Sequence, residues 1–484
     1  MTAAERVPRR DSFRRVDAVG GRFSSSCLVP EGIVDPVMMD DPYPDPAPRL
    51  LIVSYHFPPA ETVGARRPAA LAAFATRQGW DVRVLTAVVA DQGGVPVPVS
   101  EERLIRIAPA PRLPRPGGSG RGPAAGGTAP TSSRLGRIRT GAERRLLKAG
   151  MELLLPDPQL NWIRPPVRNF DRFAAGWRPD IILVSGPPFS GFVVAATLAR
   201  RFRVPWVADY RDLWSVGNDH WVRTPLRRAF DERLERRVLR TVAACVTISE
   251  PLAETIRRTF GVRTHVVMNG IDRRPVPAGS AATPAGIEAS SGTLTLAHTG
   301  YIYPGKRDPG PLLDAIALLG PDAGKVHVIF AGEDHGIVRA AAERAGVTDS
   351  VTLLGQVSPE KSWRIQADAD ALVLLMWNDP RDAGTMTGKI FDYLQARRPV
   401  LLLGYADGVA ARLLRDRGAG VVANDPAAIA ARLREWLAVK ERTGRVPSVP
   451  AAALDGLFRE DQLGRYLDIL RGVARLDVPG RFLT

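Results

Sequence analysis

From Arg49 onward, short apolar runs alternate with segments whose apolar residues recur every three to four positions. LLIVSY (50–55) is an apolar run suited to a parallel strand covered on both faces. A Pro/Gly loop (HFPPAETVG), a helical pattern over Ala65 to Gln78 and a second strand, DVRVLTA (81–87), make a βαβ opening. Further strands are predicted at DIILVSG (180–186), PWVADY (205–210) and VAACVTIS (242–249), with Arg-rich helical stretches between them; residues 265–272 close this half. The rhythm restarts at TLTLAHTG (293–300) and runs through KVHVIFAG, VTLLG, ALVLLMW, PVLLLG and GVVA, each followed or preceded by a helical segment. Strand–helix alternation through both halves predicts an α/β chain of two Rossmann-like, doubly wound domains facing an interdomain cleft. A reaction between two substrates across that cleft is the default expectation.

The same pattern sets domain limits. Residues 1–47 carry no sustained periodicity and end in DDPYPDPAP; they read as a disordered N-terminal extension, or as untranslated if synthesis starts at Met38 or Met39. The first domain spans 48–273 with a Pro/Gly/Ser-rich flexible insertion at 111–133, and residues 274–292 form a linker. The second domain spans 293–452, and 453–484 supplies a C-terminal helix expected to pack back on the first domain.

Composition narrows the class. Hydrophobic residues at 45% support full cores and exclude a disordered or fibrous chain. Two cysteines, Cys27 and Cys245, exclude a disulfide framework and a four-thiolate zinc site. No stretch approaches the roughly 18 apolar residues of a membrane span, and the N-terminus lacks a signal-peptide core, so a cytoplasmic location is expected. The formal charge of +15 leaves an anionic membrane surface or nucleic acid as partners. Only six of the 66 basic residues are lysine, so much of the arginine reflects coding bias. Segment 134–155 mixes Arg with MELLLP and has two readings: a helix lying on an anionic membrane, or an ordinary amphipathic helix of the first domain.

The loops then carry the chemistry. His56 to Gly64 lacks GxGxxG and Walker A spacing and so does not support a dinucleotide or P-loop fold. Gly64 opens a helix, where it either faces an anion or simply serves a tight loop. In HTGYIYPGKRDPG, Gly300 and Gly305 permit close backbone approach, and Lys306 and Arg307 stand at a helix N-terminus, a combination suited to a diphosphate. In DAGTMTGKIFDYLQAR, Gly384, Thr385, Thr387 and Gly388 make a small polar loop opening a helix. Lys389 in its first turn opposes the helix dipole and costs stability unless an anion offsets it. Asp392 shares that face and can accept from ribose hydroxyls. Asp368-x-Asp370 reads as a helix-to-strand junction rather than a metal motif, and the six histidines lack ligand spacing, so no metal site is expected. Trp162 and Trp177 flank an Arg/Pro stretch, but without an RRM, helix-turn-helix or zinc pattern no nucleic acid is expected.

The motifs LLIVSYHFPPAETVGARRPAALA, VPWVADYRDLW, VTISE, VMNGID, HTGYIYPGKRDP and TGKIFDYLQARRPVLL, in this order, resemble those of GT-B glycosyltransferases. The likeness is to the bacterial family-four type that builds surface polysaccharides and lipid-linked glycans, and it covers about residues 48–475. It implies a retaining, metal-independent transfer of sugar to a glycan or polyprenyl-linked acceptor on the N-terminal domain. The donor would be a nucleotide-diphosphate sugar on the C-terminal domain, a co-substrate that leaves no cofactor required. It assigns Lys306 and Arg307 to the diphosphate, Asp392 to the ribose and Gly64 to the loop near the phosphates. Gly300, Thr387, Gly388 and Lys389 complete the donor set. Asp209, Arg211 and Asp212 occupy the strand end where members carry an acceptor-side histidine and are the catalytic candidates; an Asp–Arg surface pairing is their plainer reading.

There are departures from the family pattern. Gly384 stands where the first acid of a pair is usual, so that contact to the transferred sugar is either missing or supplied by Asp382. Tyr301 stands where an arginine is usual, and Arg211 where the histidine is. A non-catalytic scaffold or activator in glycan assembly, fed by Gly384, and a nucleotide-sugar epimerase are the alternatives.

Overall fold

A computed structural model of the chain describes residues 47–88, 95–111, 154–217, 224–273, 292–333 and 336–475. The N-terminal extension, nearly all of the insertion and of the basic segment 134–155, and the linker lie outside these described residues, as do Cys27, His220 and His335.

Seven strands form the first sheet: β1 (Arg49–Val53), β2 (Asp81–Ala87), β3 (Leu104–Ile107), β4 (Ile181–Gly186), β5 (Trp206–Tyr210), β6 (Ala244–Thr247) and β7 (Thr264–Val266). They pair in the order β3-β2-β1-β4-β5-β6-β7. Six form the second: β8 (Leu294–Thr299), β9 (Val326–Ala331), β10 (Val351–Gly355), β11 (Ala371–Leu375), β12 (Val400–Leu403) and β13 (Gly420–Val422), in the order β10-β9-β8-β11-β12-β13. Every pairing is parallel, with Ile52 opposite Val84 and Leu183 at the centre of the first sheet. Helices cover both faces, so β4, β5, β8 and β11 are buried along their whole length. That is why they read as unbroken apolar runs. The two doubly wound domains expected from the pattern are present. The sequence reading missed β3, whose LIRI alternates because it is a four-residue edge strand half open to solvent.

In the first domain α1 (Val63–Arg77) lies on one face, and α2 (Arg164–Ala174), α3 (Ser190–Phe202), α4 (Pro225–Val238) and α5 (Glu250–Phe260) follow. Trp162, Phe170, Phe192, Trp206 and Trp214 fill the core on the α2–α5 side. In the second domain come α6 (Gly310–Ala317), α7 (Gly336–Ala345), α8 (Pro359–Asp368), α9 (Gly388–Ala396), α10 (Val409–Asp416) and α11 (Pro426–Thr443). The last helix, α12 (Arg459–Arg475), returns to the first domain, where Leu463, Tyr466, Leu467 and Leu470 join Leu50, Ile52, Ala69 and Leu71 in one core.

The chain crosses between domains twice, and the crossings touch. The Ile271 N–H donates to the Leu457 carbonyl and the Arg459 N–H to the Ile271 carbonyl, both at 2.8 Å. Gly270, at φ +75°, lies so close that a Cβ there would stand 2.6 Å from Arg459 Cα, which excludes any larger residue. Asp370 of the D-x-D pair sits between α8 and β11. Its carboxylate accepts from Lys440 Nζ at 2.5 Å and from the Thr295 N–H at 2.9 Å, fastening α11 to the sheet.

Candidate functional site

Ligands of open α/β sheets bind outside the strand ends where the strand order reverses, here between β1 and β4 and between β8 and β11. The sequence-predicted residues fall at these two places.

At the first, Asp209 ends β5. Arg67 Nε donates to both of its oxygens at 3.1 Å, Arg67 Nη2 lies 3.0 Å from Oδ1, and Ser185 Oγ donates to Oδ2 at 2.8 Å. Arg67 also donates to the Met268 carbonyl at 3.1 Å and stacks over the Tyr466 ring at 5.2 Å. Asp209 is only 1% exposed. Asp209 therefore does not pair with Arg211 at the surface, the plainer reading of the sequence; its buried pairing with Arg67 binds α1, the hinge and α12 to the strand end. Arg211 is half-buried and donates to the Pro187 carbonyl. Its guanidinium lies on Gly64, where a Cβ would approach Nη1 to 2.5 Å. Burial lowers its pKa, Asp209 and Asp212 oppose that, and Arg67 adds to it. The guanidinium thus adds its charge to the positive end of the α1 dipole, a place where an anion is favoured. Asp212 is exposed beside it.

The segment 209–215 is held from behind by α4. Glu235 accepts from Tyr210 Oη at 2.8 Å and from the Ser215 N–H at 2.9 Å. Burial first, with Asp231 adding to it, pushes its carboxyl up to about 7 against the pull of those hydrogen bonds. The folded state thus binds this proton more tightly than the unfolded chain. The stabilisation is full below the ordinary carboxyl range and is lost as pH rises through about 7, a change of about 3 kcal/mol. Glu235→Gln is expected to remove that slope, read as denaturant midpoints at pH 5 and pH 8 in variant and wild type; an unchanged difference would contradict it.

At the second place, Gly300 follows β8 at φ +121° and Lys389 lies across it; a Cβ on Gly300 would stand 2.2 Å from Lys389 Cε. Gly332, at φ +152°, backs onto the Gly300 carbonyl, where a Cβ would meet the oxygen at 2.4 Å. Two glycines thus let two strand-end turns stack and make room for a lysine. Tyr393 Oη accepts the Thr299 N–H and Gln366 Nε2 donates to Thr299 Oγ1, both at 2.9 Å, fixing the strand just before the turn. The Tyr301 carbonyl accepts from Arg307 Nη1 at 2.8 Å and from Lys389 Nζ at 3.5 Å. Burial and the neighbouring Arg307 pull Lys389 down to about 7, with Asp392 working the other way. His298, beneath them, is pushed to about 3 by burial and Lys389 and stays neutral. Lys306 Nζ lies 4.9 Å over the Trp377 ring, which Arg381 also covers at 4.2 Å.

Gly300, Arg307, Lys389 and Asp392 are therefore one cluster, flanked by Thr387 and Gly388 at the N-terminus of α9, with Lys306 placed on Trp377. Asp382 accepts from Thr385 Oγ1 at 2.7 Å within its own loop. Gly384 packs against the other domain: Ser249 Oγ donates to its carbonyl at 2.7 Å, and a Cβ would meet Leu252 Cδ2 at 2.9 Å. Arg67, Glu235, Trp377 and Tyr393 were missed in the sequence. Only Trp377 carried a signal there, an aromatic directly after a buried strand. Among the described residues no cluster of three His, Cys, Asp or Glu is placed to hold a metal ion.

Residues 64–270 match the family model described as glycosyl transferase 4-like domain. HepE of Anabaena, solved in complex with UDP and glucose, is 14% identical with a TM-score of 0.56, covering 88% of this chain and 99% of that one. Sucrose-phosphate synthase from Thermosynechococcus elongatus is 15% identical with a TM-score of 0.57, covering 88% and 99%. A glycosyltransferase from Rickettsia africae is 10% identical with a TM-score of 0.56, covering 89% and 100%. No curated protein matches the chain in sequence. The family match spans most of the first domain, and the three structures share the two-sheet fold over nearly all of their length. The chain has the two-domain GT-B fold of these structures, and its residues 64–270 match a glycosyl transferase 4-like domain.

Proposed function

We propose that the C-terminal domain binds a nucleoside-diphosphate sugar through the Gly300–Arg307 loop and the N-terminus of α9, and that the sugar passes to an acceptor at the Arg211–Asp212 segment. The observation that carries this is Lys389: a half-buried ammonium lying across Gly300 and depressed to about 7 by burial and Arg307, which a bound anion would relieve. Charge developing on the departing diphosphate would be met by Lys389, Arg307, Lys306 and the α9 dipole, which is electrostatic stabilisation in place before the reaction. Asp392 takes the ribose, with Thr387 and Gly388 lining the phosphate side. HepE, with UDP-glucose bound in one of its structures, supports a nucleotide-sugar donor.

With Asp209 held on Arg67, Asp212 is the exposed carboxylate beside Arg211, and we read the transfer as retaining and donor-assisted, the leaving phosphate taking the acceptor proton. Asp212 then orients the acceptor hydroxyl. The charge compensation is supplied by side-chain cations, and we read the transfer as metal-independent. The acceptor is taken to be a glycan or polyprenyl-linked glycan, with the enzyme peripheral at the inner membrane face. No helix among the described residues is long and apolar enough to cross a membrane. Calorimetry with UDP- and GDP-sugars tests the reading: one class should bind, with Lys306→Ala and Asp392→Ala each weakening it tenfold or more. Absence of binding by every nucleotide sugar would overturn it.

A further inference from the structure

The outer face of α4 is inverted relative to an ordinary surface helix. Of the acids in PLRRAFDERLERRV, Asp231 and Glu235 are wholly buried, Asp231 against Arg227 Nε at 2.9 Å and Glu235 beneath Tyr210 and Ser215. The third, Glu232, is engaged by Arg236 at 2.8 Å. The apolar residues point the other way: Leu226 is 69% and Phe230 52% exposed. They lie four residues apart on one face, and Arg233 and Arg237, both exposed, extend the same stripe by helical spacing. The helix therefore turns its negative charge inward and presents two large apolar side chains among arginines.

We propose that this stripe docks the protein on an anionic lipid bilayer, Leu226 and Phe230 entering the headgroup–acyl boundary and Arg233 and Arg237 lying on lipid phosphates. Charge selects the occupant. A second copy of this chain would oppose arginine to arginine across a self-complementary contact, whereas an anionic surface complements both the stripe and the chain's formal +15. Through Glu235 the docked helix carries the segment 210–215 on its other side, so a membrane-borne acceptor would meet Arg211 and Asp212; this last link rests on the function proposed above.

The test is co-sedimentation of the full chain with vesicles of phosphatidylglycerol and phosphatidylcholine, and with phosphatidylcholine alone. Wild type should bind the anionic vesicles, less so at high salt. Leu226→Ser/Phe230→Ser should lower the partition at least tenfold, with Tm and nucleotide binding unchanged. Arg233→Ser/Arg237→Ser should lose the preference for the anionic lipid. The proposal is overturned if wild type ignores anionic vesicles, or if the Leu226/Phe230 variant binds them equally, which would place docking elsewhere, such as on 134–155. It is also overturned if that variant abolishes only a dimer. Nucleotide binding is read separately, so failure of docking and failure of the donor site are distinguishable.

Discussion

Lys389→Met is expected to make the free protein more stable at neutral pH while lowering kcat/KM for the donor by roughly 10²–10³. The two effects share one cause. Burial and Arg307 depress this ammonium to about 7, so between about 7 and the ordinary lysine range the unfolded chain binds the proton more tightly than the folded one. Stability therefore rises with pH across that window, and at neutral pH the native state carries a penalty. Removing the charge relieves it, on the order of 2 kcal/mol once the lost packing of the lysine stem on Gly300 is allowed for. The variant should melt higher at pH 7 and lose the wild-type rise in Tm between pH 7 and pH 10. The partly buried diphosphate contact it would have made is gone, so turnover collapses. A variant that melts lower and turns over normally would show that Lys389 is only a packing residue.

Arg67→Ala is expected to have the largest effect on folding. It strips the partner from a carboxylate that is 1% exposed, leaving Asp209 charged among Ser185, Tyr210 and the strand end. Breaking a buried pair on one side costs about 3–5 kcal/mol. For a domain of this size that is a fall in Tm of roughly 10 °C. The same guanidinium also ties down the Met268 carbonyl and the Tyr466 ring, so α12 should loosen from the first domain, visible as faster amide exchange over 459–473. Arg67→Met combined with Asp209→Asn should recover part of the loss, since no uncompensated charge remains. Equal damage from the double and the single variant would mean that packing, not charge, holds the junction.

These two residues mark what the sequence could and could not show. Lys389 was legible because a lysine is rare in this chain and stands in a helix's first turn, where a local rule marks it as out of place. The strands were legible for a similar reason: a strand covered on both faces has to be apolar throughout, and β4, β5, β8 and β11 are. Asp209 was not. Its meaning depends on Arg67, 142 positions earlier, and on a tyrosine in the last helix, and no local pattern links them. Gly64 was read either as facing an anion or as serving a tight loop, and its neighbour here is the guanidinium of Arg211, a contact set by the fold rather than by spacing. β3 escaped because an edge strand of four residues carries too few positions for its alternation to stand out.

Gly384 has a consequence for how such a chain can change. Restoring a carboxylate there is not a local edit. The new side chain would start within 2.9 Å of Leu252, on the opposite domain, at the point where Ser249 already grips the backbone. An acid at 384 and a leucine at 252 compete for one volume, so the two positions are coupled across the domain boundary. The acidic contact returns with a displacement of the Leu252 side chain or a companion change at 252, and either alters the packing across the domain boundary.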